Sequence, residues 1–459
     1  MNRIAGRAWA LLLMIAILLG GTGFFLYEYY TLSSYWVMHT GSPHVYDEDG
    51  RTMASGTVVD RDGNFLLDLE GKRTYAQDAA VRMSTLHWLG DRQGNIYAPF
   101  LRNYAQEMTG FDRVNGVYHY GGVGGKMTLT LSATVQAAAL QALGDRKGTV
   151  AVYNYKTGEL LCAVTTPTYD PDQIPDFSAG TTGSYEGVYL NRFLQAAYIP
   201  GSIFKLVTTA AALESIDDIQ QQTFICTGSY AFGNDKVTCE RAHGTMDLKM
   251  AMLRSCNCAY AQIAIQLGKE NMNHYVKAYG VTDPVSFDGV TTVKGNFNLE
   301  KAASVELAWS AIGQHKDQIN PCAFLTFVGA IANGGQAVVP HVVGSVSVGG
   351  ETAYMAEPTM MERIMPQAVA QQLAAYMRNN VAGHYGDENF LGLTVCAKSG
   401  TGEVGGGSKP NAMFTGFVMD AEYPLAFIVC VENGGYGRTT CIPILRAVLQ
   451  ECIAVLDGK

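Results

Sequence analysis

Apolar residues fall into runs of three kinds along the chain, and each kind predicts a different element. The first is a single long block. Residues 8–27 carry no charge, and about twenty such residues suffice to cross a bilayer as a helix. Arg3 and Arg7 precede the block and Glu28 follows it, so the positive-inside rule keeps the N-terminus cytoplasmic. A cleaved signal peptide has a shorter apolar core closed by a small-x-small site. Residues 1–28 are therefore expected to be a retained anchor. No second run of this length follows, so the rest of the chain is expected outside the membrane.

The second kind is short and alternating. Residues 29–124 break repeatedly at Asp47-Glu-Asp-Gly50, Asp60-Arg-Asp-Gly-Asn64 and Gly90-Asp-Arg-Gln-Gly-Asn95. The acidic spacing does not fit an EF-hand loop, and hairpin turns in a small β-rich module are expected. The glycines of 121–125 mark its end.

The third kind mixes strand-like and helix-like periods from 125 to 459. Residues 127–132 read as a strand and 133–143 as an amphipathic helix. Residues 149–155 and 160–165 form a hairpin around Lys156-Thr-Gly-Glu159. Residues 203–214 and 255–268 have helical periodicity. Residues 393–397, 412–419 and 425–431 read as strands, and a final helix runs from about Pro443 to Val455, where proline suits a first helical position. Strands at both ends with helices between them predict an α+β domain whose sheet is completed by the C-terminal strands.

With 459 residues, 48% of them hydrophobic, there is core enough for more than one domain, and a net charge of −9 argues against a general nucleic-acid binder. Of ten cysteines, Cys162, Cys396 and Cys430 lie in apolar runs as small buried hydrophobes. Cys226 and Cys239 flank a Gly- and Asn-containing loop and are the best disulfide candidates. No metal site is expected, because Cys256-x-Cys258 lacks a second ligand pair at usable spacing and no His-Glu-x-x-His occurs.

Candidate chemistry begins at Ser202-Ile-Phe-Lys205, where a serine and a lysine three residues apart share one helix face. A desolvated lysine can take the serine's proton and make it a nucleophile. The spacing alone is common. Two further motifs give it weight: Ser255-Cys256-Asn257 at the start of a helix, where capping is the ordinary role of such residues, and Lys398-Ser399-Gly400-Thr401 at the end of an apolar strand. Glycine there lets backbone approach a ligand, while lysine and hydroxyls face it. Lys156-Thr157-Gly158 matches the last pattern but occupies a hairpin turn and is assigned no chemistry.

In this order the three motifs resemble those of penicillin-binding proteins and serine β-lactamases. Leu129-Thr-Leu-Ser-Ala-Thr-Val-Gln136, Lys156-Thr-Gly-Glu-Leu-Leu161, Pro167-Thr-Tyr-Asp-Pro171, Asn191-Arg192 and His243-Gly244 narrow the likeness to class B, the monofunctional peptidoglycan D,D-transpeptidases. It covers about residue 125 to the C-terminus. Ser399 stands where threonine is commoner, and the usual arginine-glycine opening of the N-terminal module is not evident.

The resemblance implies an antiparallel sheet flanked by helices plus an all-helical subdomain. It implies that Ser202 attacks the penultimate D-Ala of a stem peptide, with Lys205 as base and its pKa lowered by burial and by Lys398. Ser255 would relay a proton and Asn257 would orient Lys205 and the substrate. Lys398, Ser399 and Thr401 would hold the terminal carboxylate, with Gly400 between them, and the backbone N–H groups of Ser202 and Thr401 would form an oxyanion hole. An amine from a second stem peptide resolves the acyl-enzyme, β-lactams are trapped on it, and no cofactor is needed. A membrane glycan polymerase of the SEDS type is the implied partner, in a bacterial plasma membrane.

A D,D-carboxypeptidase or β-lactamase would need a base for water, for which Glu186 and Glu240 are the uncommitted carboxylates. A non-catalytic β-lactam sensor would need further signalling segments, and a divisome scaffold has no need of an intact nucleophile set. The division, elongation or sporulation role stays open.

Overall fold

The computed structural model describes residues 2–38, 56–69, 73–109, 111–112, 117–118, 124–178, 180 and 182–458. The expected turn at 47–50 and most of the glycine cluster lie outside them. A 37-residue helix, Asn2–Met38, opens the chain. At 1.5 Å per residue it is about 55 Å long, more than a hydrocarbon core of about 30 Å requires. Trp9, Leu13, Ile17, Leu18 and Phe24 along it are exposed, an apolar surface that water does not tolerate at this size.

The C-terminal domain is organised by a five-stranded antiparallel sheet in the order Val395–Gly402, Asn411–Val418, Leu425–Val431, Gly148–Asn154, Leu160–Thr166. Both faces are covered, so its strands read as continuous apolar runs rather than alternating ones. Val150, Val152, Phe414, Phe427 and Val429 face one core with the helices Ala133–Leu143 and Gly437–Leu456. Tyr153, Met413, Ala426 and Ile428 face the other core with the helices Lys205–Ser215, Asn257–Ala278 and Pro321–Ala332. The N- and C-terminal strands meet at Gly148–Asn154 and Leu425–Val431, paired in continuous antiparallel register. The sheet is completed as expected.

Three boundaries differ from the sequence reading. The last helix begins at Gly437, with Pro443 inside it. Gly437 packs there against strand carbonyls, where a Cβ would overlap the Met413 and Gly400 oxygens. The helix after Ser255 begins at Asn257, with the Cys256 thiol accepting from Ala259 N as its cap. Finally, the region before 125 is not purely β. It contains the helix Ala79–Leu89, and its strand Gly56–Val59 pairs in parallel with Gly125–Leu129, inside a six-stranded sheet that also takes Val343–Val348 and Glu351–Met355. The sheet thus joins strands from both sides of the expected boundary at 124/125.

Candidate active site

Ser202 lies in the 3-10 turn Gly201–Phe204, which runs into the helix beginning at Lys205. This turn packs on the free edge of the five-stranded sheet, against the strand Val395–Gly402 that carries Lys398 to Thr401. Glycines permit the approach. Gly201 has φ +55°, and a Cβ there would overlap the Thr401 carbonyl; a Cβ on Gly400 would sit 2.7 Å from the Pro200 oxygen. The strand runs past the expected end at Ala397 because its pairing with Asn411–Val418 continues to Gly402, so Lys398-Ser-Gly-Thr401 lies within it.

The free edge fixes which groups face the cleft. The Ser399 N–H donates to Tyr385 Oη at 2.9 Å, away from the neighbouring strand. Residues two apart in a strand point the same way, so the Thr401 N–H and C=O also face outward. That carbonyl accepts from Gln314 Nε2 at 3.1 Å.

The opposite wall is the Ser255–Asn257 segment. Ser255 has φ +50°, a left-handed conformation that costs a non-glycine residue free energy and clusters at functional sites. Asn257 Nδ2 donates to the Thr238 carbonyl at 2.8 Å, tying the segment to the hairpin of strands Ser229–Phe232 and Asp235–Thr238.

Lys205 joins the two walls. Its Nζ lies 3.1 Å from Ser202 Oγ, 3.1 Å from Ser255 Oγ, 2.8 Å from Asn257 Oδ1 and 2.6 Å from the Ser255 carbonyl oxygen. An ammonium has only three hydrogens to donate. With four oxygens around it, one hydroxyl can instead donate to the amine when Lys205 is neutral. Burial favours that form: the side chain is fully buried, which lowers its pKa to about 8. Lys398 is also buried, and its Nζ lies 3.1 Å from Ser255 Oγ and 2.9 Å from the Ser399 carbonyl. Burial and the charge of Lys205 hold it well below the usual lysine range. The expected effect of one lysine on the other is thus felt at Lys398, whereas Lys205 is lowered by desolvation.

Ser202, Ser255, Asn257, Ser399 and Thr401 line one cleft of about 970 Å³. Lys398 stands behind this surface. Glu240 lines the cleft as well, while Glu186 is paired with Lys147 at 2.7 Å. Lys156 of the turn Lys-Thr-Gly donates to Asn333 Oδ1 at the C-terminal end of the helix Pro321–Ala332, at 2.7 Å. Sequence reasoning missed Tyr385, Gln314 and Arg438, which reach the site from separate elements and have no local motif to announce them.

The Cys226–Cys239 disulfide is not formed, and both thiols are free. Cys226 Sγ faces His243 Nδ1 at 3.6 Å and Cys239 Sγ faces Cys256 Sγ at 3.7 Å, whereas a disulfide needs about 2.05 Å. The two sulfurs, the Cys256 sulfur and a His243 ring nitrogen all lie within 4.8 Å of one another. The expectation of no metal site rested on local spacing and missed this convergence.

A serine, a buried lysine one helical turn on, a second serine bridging two lysines, and a hydroxyl-bearing strand edge define a serine acyl-transfer protein of the Ser-x-x-Lys class. Residues 148–450 match the family model described as penicillin binding protein transpeptidase domain. The chain belongs to that family. It is 29% identical over 370 residues to peptidoglycan D,D-transpeptidase PbpA of Mycobacterium tuberculosis, covering 73% of each chain. It is 26% identical over 356 residues to stage V sporulation protein D of Bacillus subtilis, covering 72% of this chain and 54% of that protein. Penicillin-binding protein A from M. tuberculosis, as its penicillin G acyl-enzyme complex, superposes with a TM-score of 0.75 at 22% identity, covering 87% of this chain and 99% of that one. That likeness is one of fold.

Proposed function

We propose that the protein is a peptidoglycan D,D-transpeptidase acting through a Ser202 acyl-enzyme. The observation that carries this reading is the Lys205 amine, buried and within 3.1 Å of both Ser202 Oγ and Ser255 Oγ. Neutral Lys205 takes the Ser202 proton as Oγ attacks the penultimate D-Ala carbonyl. The outward N–H of Thr401 and that of Ser202 stabilise the oxyanion. Ser255, bridging Lys205 and Lys398, passes a proton to the leaving D-Ala amine. Asn257 holds Lys205 with its carbonyl. Ser399 and Thr401 hydroxyls receive the terminal carboxylate, with the Lys398 charge behind them. A stem-peptide amine then displaces Ser202 Oγ and restores the enzyme. β-Lactams acylate the same oxygen.

In this reading residues 1–28 anchor the chain with its N-terminus cytoplasmic, residues 29–124 form the module, and residues 125–459 form the extracytoplasmic transpeptidase domain. A SEDS-type polymerase is the membrane partner that the family resemblance implies.

Two assays test the proposal. The full chain in detergent should bind a fluorescent penicillin covalently, and Ser202→Ala should abolish binding. Labelling that persists in the variant, or is lacking in the wild type, would sink it. Product analysis with a pentapeptide donor and an added D-amino acid separates transfer from hydrolysis, where Glu240 would be the carboxylate to examine.

A further inference from the structure

We infer that Cys226, Cys239, His243 and Cys256 form a structural zinc site that clamps the Ser255–Asn257 wall of the active site. The four side chains come from three places: Cys226 ends the strand Phe224–Cys226, Cys239 and His243 follow the hairpin strand Asp235–Thr238, and Cys256 caps the helix Asn257–Ala278. Their ligand atoms all lie within 4.8 Å of one another.

The geometry matches the ion. A tetrahedron with Zn–S of 2.3 Å and Zn–N of about 2.05 Å has S···S edges of about 3.8 Å and S···N edges of about 3.6 Å. The Cys239–Cys256 and Cys226–His243 separations are 3.7 and 3.6 Å. Three thiolates and an imidazole select zinc over harder cations, and four protein ligands leave no open position for chemistry.

The surroundings suit thiolates. The backbone N–H of Cys258 points at Cys239 Sγ and that of Ala259 at Cys256 Sγ, both at 3.4 Å. Such outer-shell bonds orient metal ligands. Cys226 and Cys256 are buried, whereas Cys239 and His243 line the active-site cleft and give an ion its entry path.

The site's place in the fold gives it a task. Cys256 stands between Ser255 and Asn257, and Cys239 follows Thr238, whose carbonyl accepts from Asn257 Nδ2 at 2.8 Å. Ligation would fix both ends of that bond and hold Ser255 in its left-handed conformation. Zinc here does no chemistry on the substrate; it keeps Ser255 and Asn257 against Lys205. This second half rests on the transpeptidase reading.

The test uses the full chain in detergent, purified without chelator. Elemental analysis should find about one zinc per chain, and Cys239→Ser should lose most of it. Because that variant could fail for want of folding, wild-type protein stripped with a chelator is also titrated with cobalt. Thiolate-to-cobalt charge-transfer absorption at one equivalent is expected. Zinc-free wild type that gives no such absorption overturns the site, as does a disulfide among Cys226, Cys239 and Cys256 in non-reducing peptide maps. The stripped chain should react with fluorescent penicillin at least about tenfold more slowly and recover with zinc; an unchanged rate overturns the clamp. A chain that never labels, even unstripped, overturns the transpeptidase reading instead, and the metal count still decides the site.

Discussion

The two walls that face Ser202 are held in place by different physics. On one side, the strand Val395–Gly402 is paired with its neighbour at eight successive positions, from Val395 with Val418 to Gly402 with Asn411. Its outer edge meets the Ser202 turn through glycines that leave no room for a side chain. On the other side, Ser255 is in a strained backbone conformation outside any strand or helix. It is held by Lys205 and Lys398. The first wall is positioned by backbone register, the second by a handful of side chains. Faults in the first should therefore act through shape, and faults in the second through charge and bonding.

The largest effect is expected at the residue that joins the walls. Lys205→Met removes the base and should slow acylation by about 10²–10⁴-fold. The same change leaves the Ser255 carbonyl and Asn257 Oδ1 without their buried donor, so a stability loss of about 1–3 kcal/mol should accompany it. Acylation within about tenfold of wild type would remove Lys205 from the role of base.

Gly201→Ala tests the first wall. The new methyl would overlap the Thr401 carbonyl at a φ of +55°, so the turn must move off the strand edge. A displacement of about 1 Å at a reacting atom can cost about 100-fold in rate, and the strain should cost roughly 1–3 kcal/mol of stability. Acylation rates and denaturant melts measure the two. A variant with wild-type acylation would show that the glycine contact does not set the position of Ser202.

Lys205, which joins the two walls, should make acylation sensitive to pH. Lys205 must be neutral to accept the Ser202 proton, and burial brings its pKa down to about 8. As pH falls below that value the amine is protonated, so acylation should drop about tenfold per unit and level off above it. A rate that is flat from pH 6 to 9 would remove Lys205 from the role of base.

The contrast between the walls also explains what the sequence could reveal. Ser202 and Lys205 share one turn of chain, and Lys398 to Thr401 share one strand, so their relation survives in spacing. The sheet was readable for the same reason, because both its faces are buried and its strands are unbroken apolar runs. The cysteine cluster was not readable, because Cys226, Cys239 and Cys256 converge from separate elements and no spacing along the chain records that meeting. Tyr385 comes from a π-helical turn, Val381–Tyr385, that no local pattern marks. The last helix starts at Gly437, six residues before the proline that pointed to a later start, and the close packing of Gly437 on strand carbonyls is a tertiary contact with no local signal.

The smallest effect is expected at Tyr385, which supports the first wall at its free edge. Its oxygen accepts from Ser399 N and lies 2.9 Å from Ser399 Oγ, while its ring packs edge-on against Phe414 at 5.2 Å. Tyr385→Phe keeps the ring contact and removes only the oxygen. The freed Ser399 N–H sits on an edge strand beside the cleft, where water can replace the lost partner, so the stability cost should be about 1 kcal/mol. The freed Ser399 hydroxyl loses its fixed orientation, and Ser399 is assigned to the substrate carboxylate rather than to proton transfer. Acylation efficiency should therefore fall by about 3- to 10-fold through weaker binding, with the first-order acylation step preserved. If the first-order step falls while binding is unchanged, Tyr385 belongs to the proton path with Lys205 and Ser255, and the division between a wall that binds and a wall that moves protons does not hold.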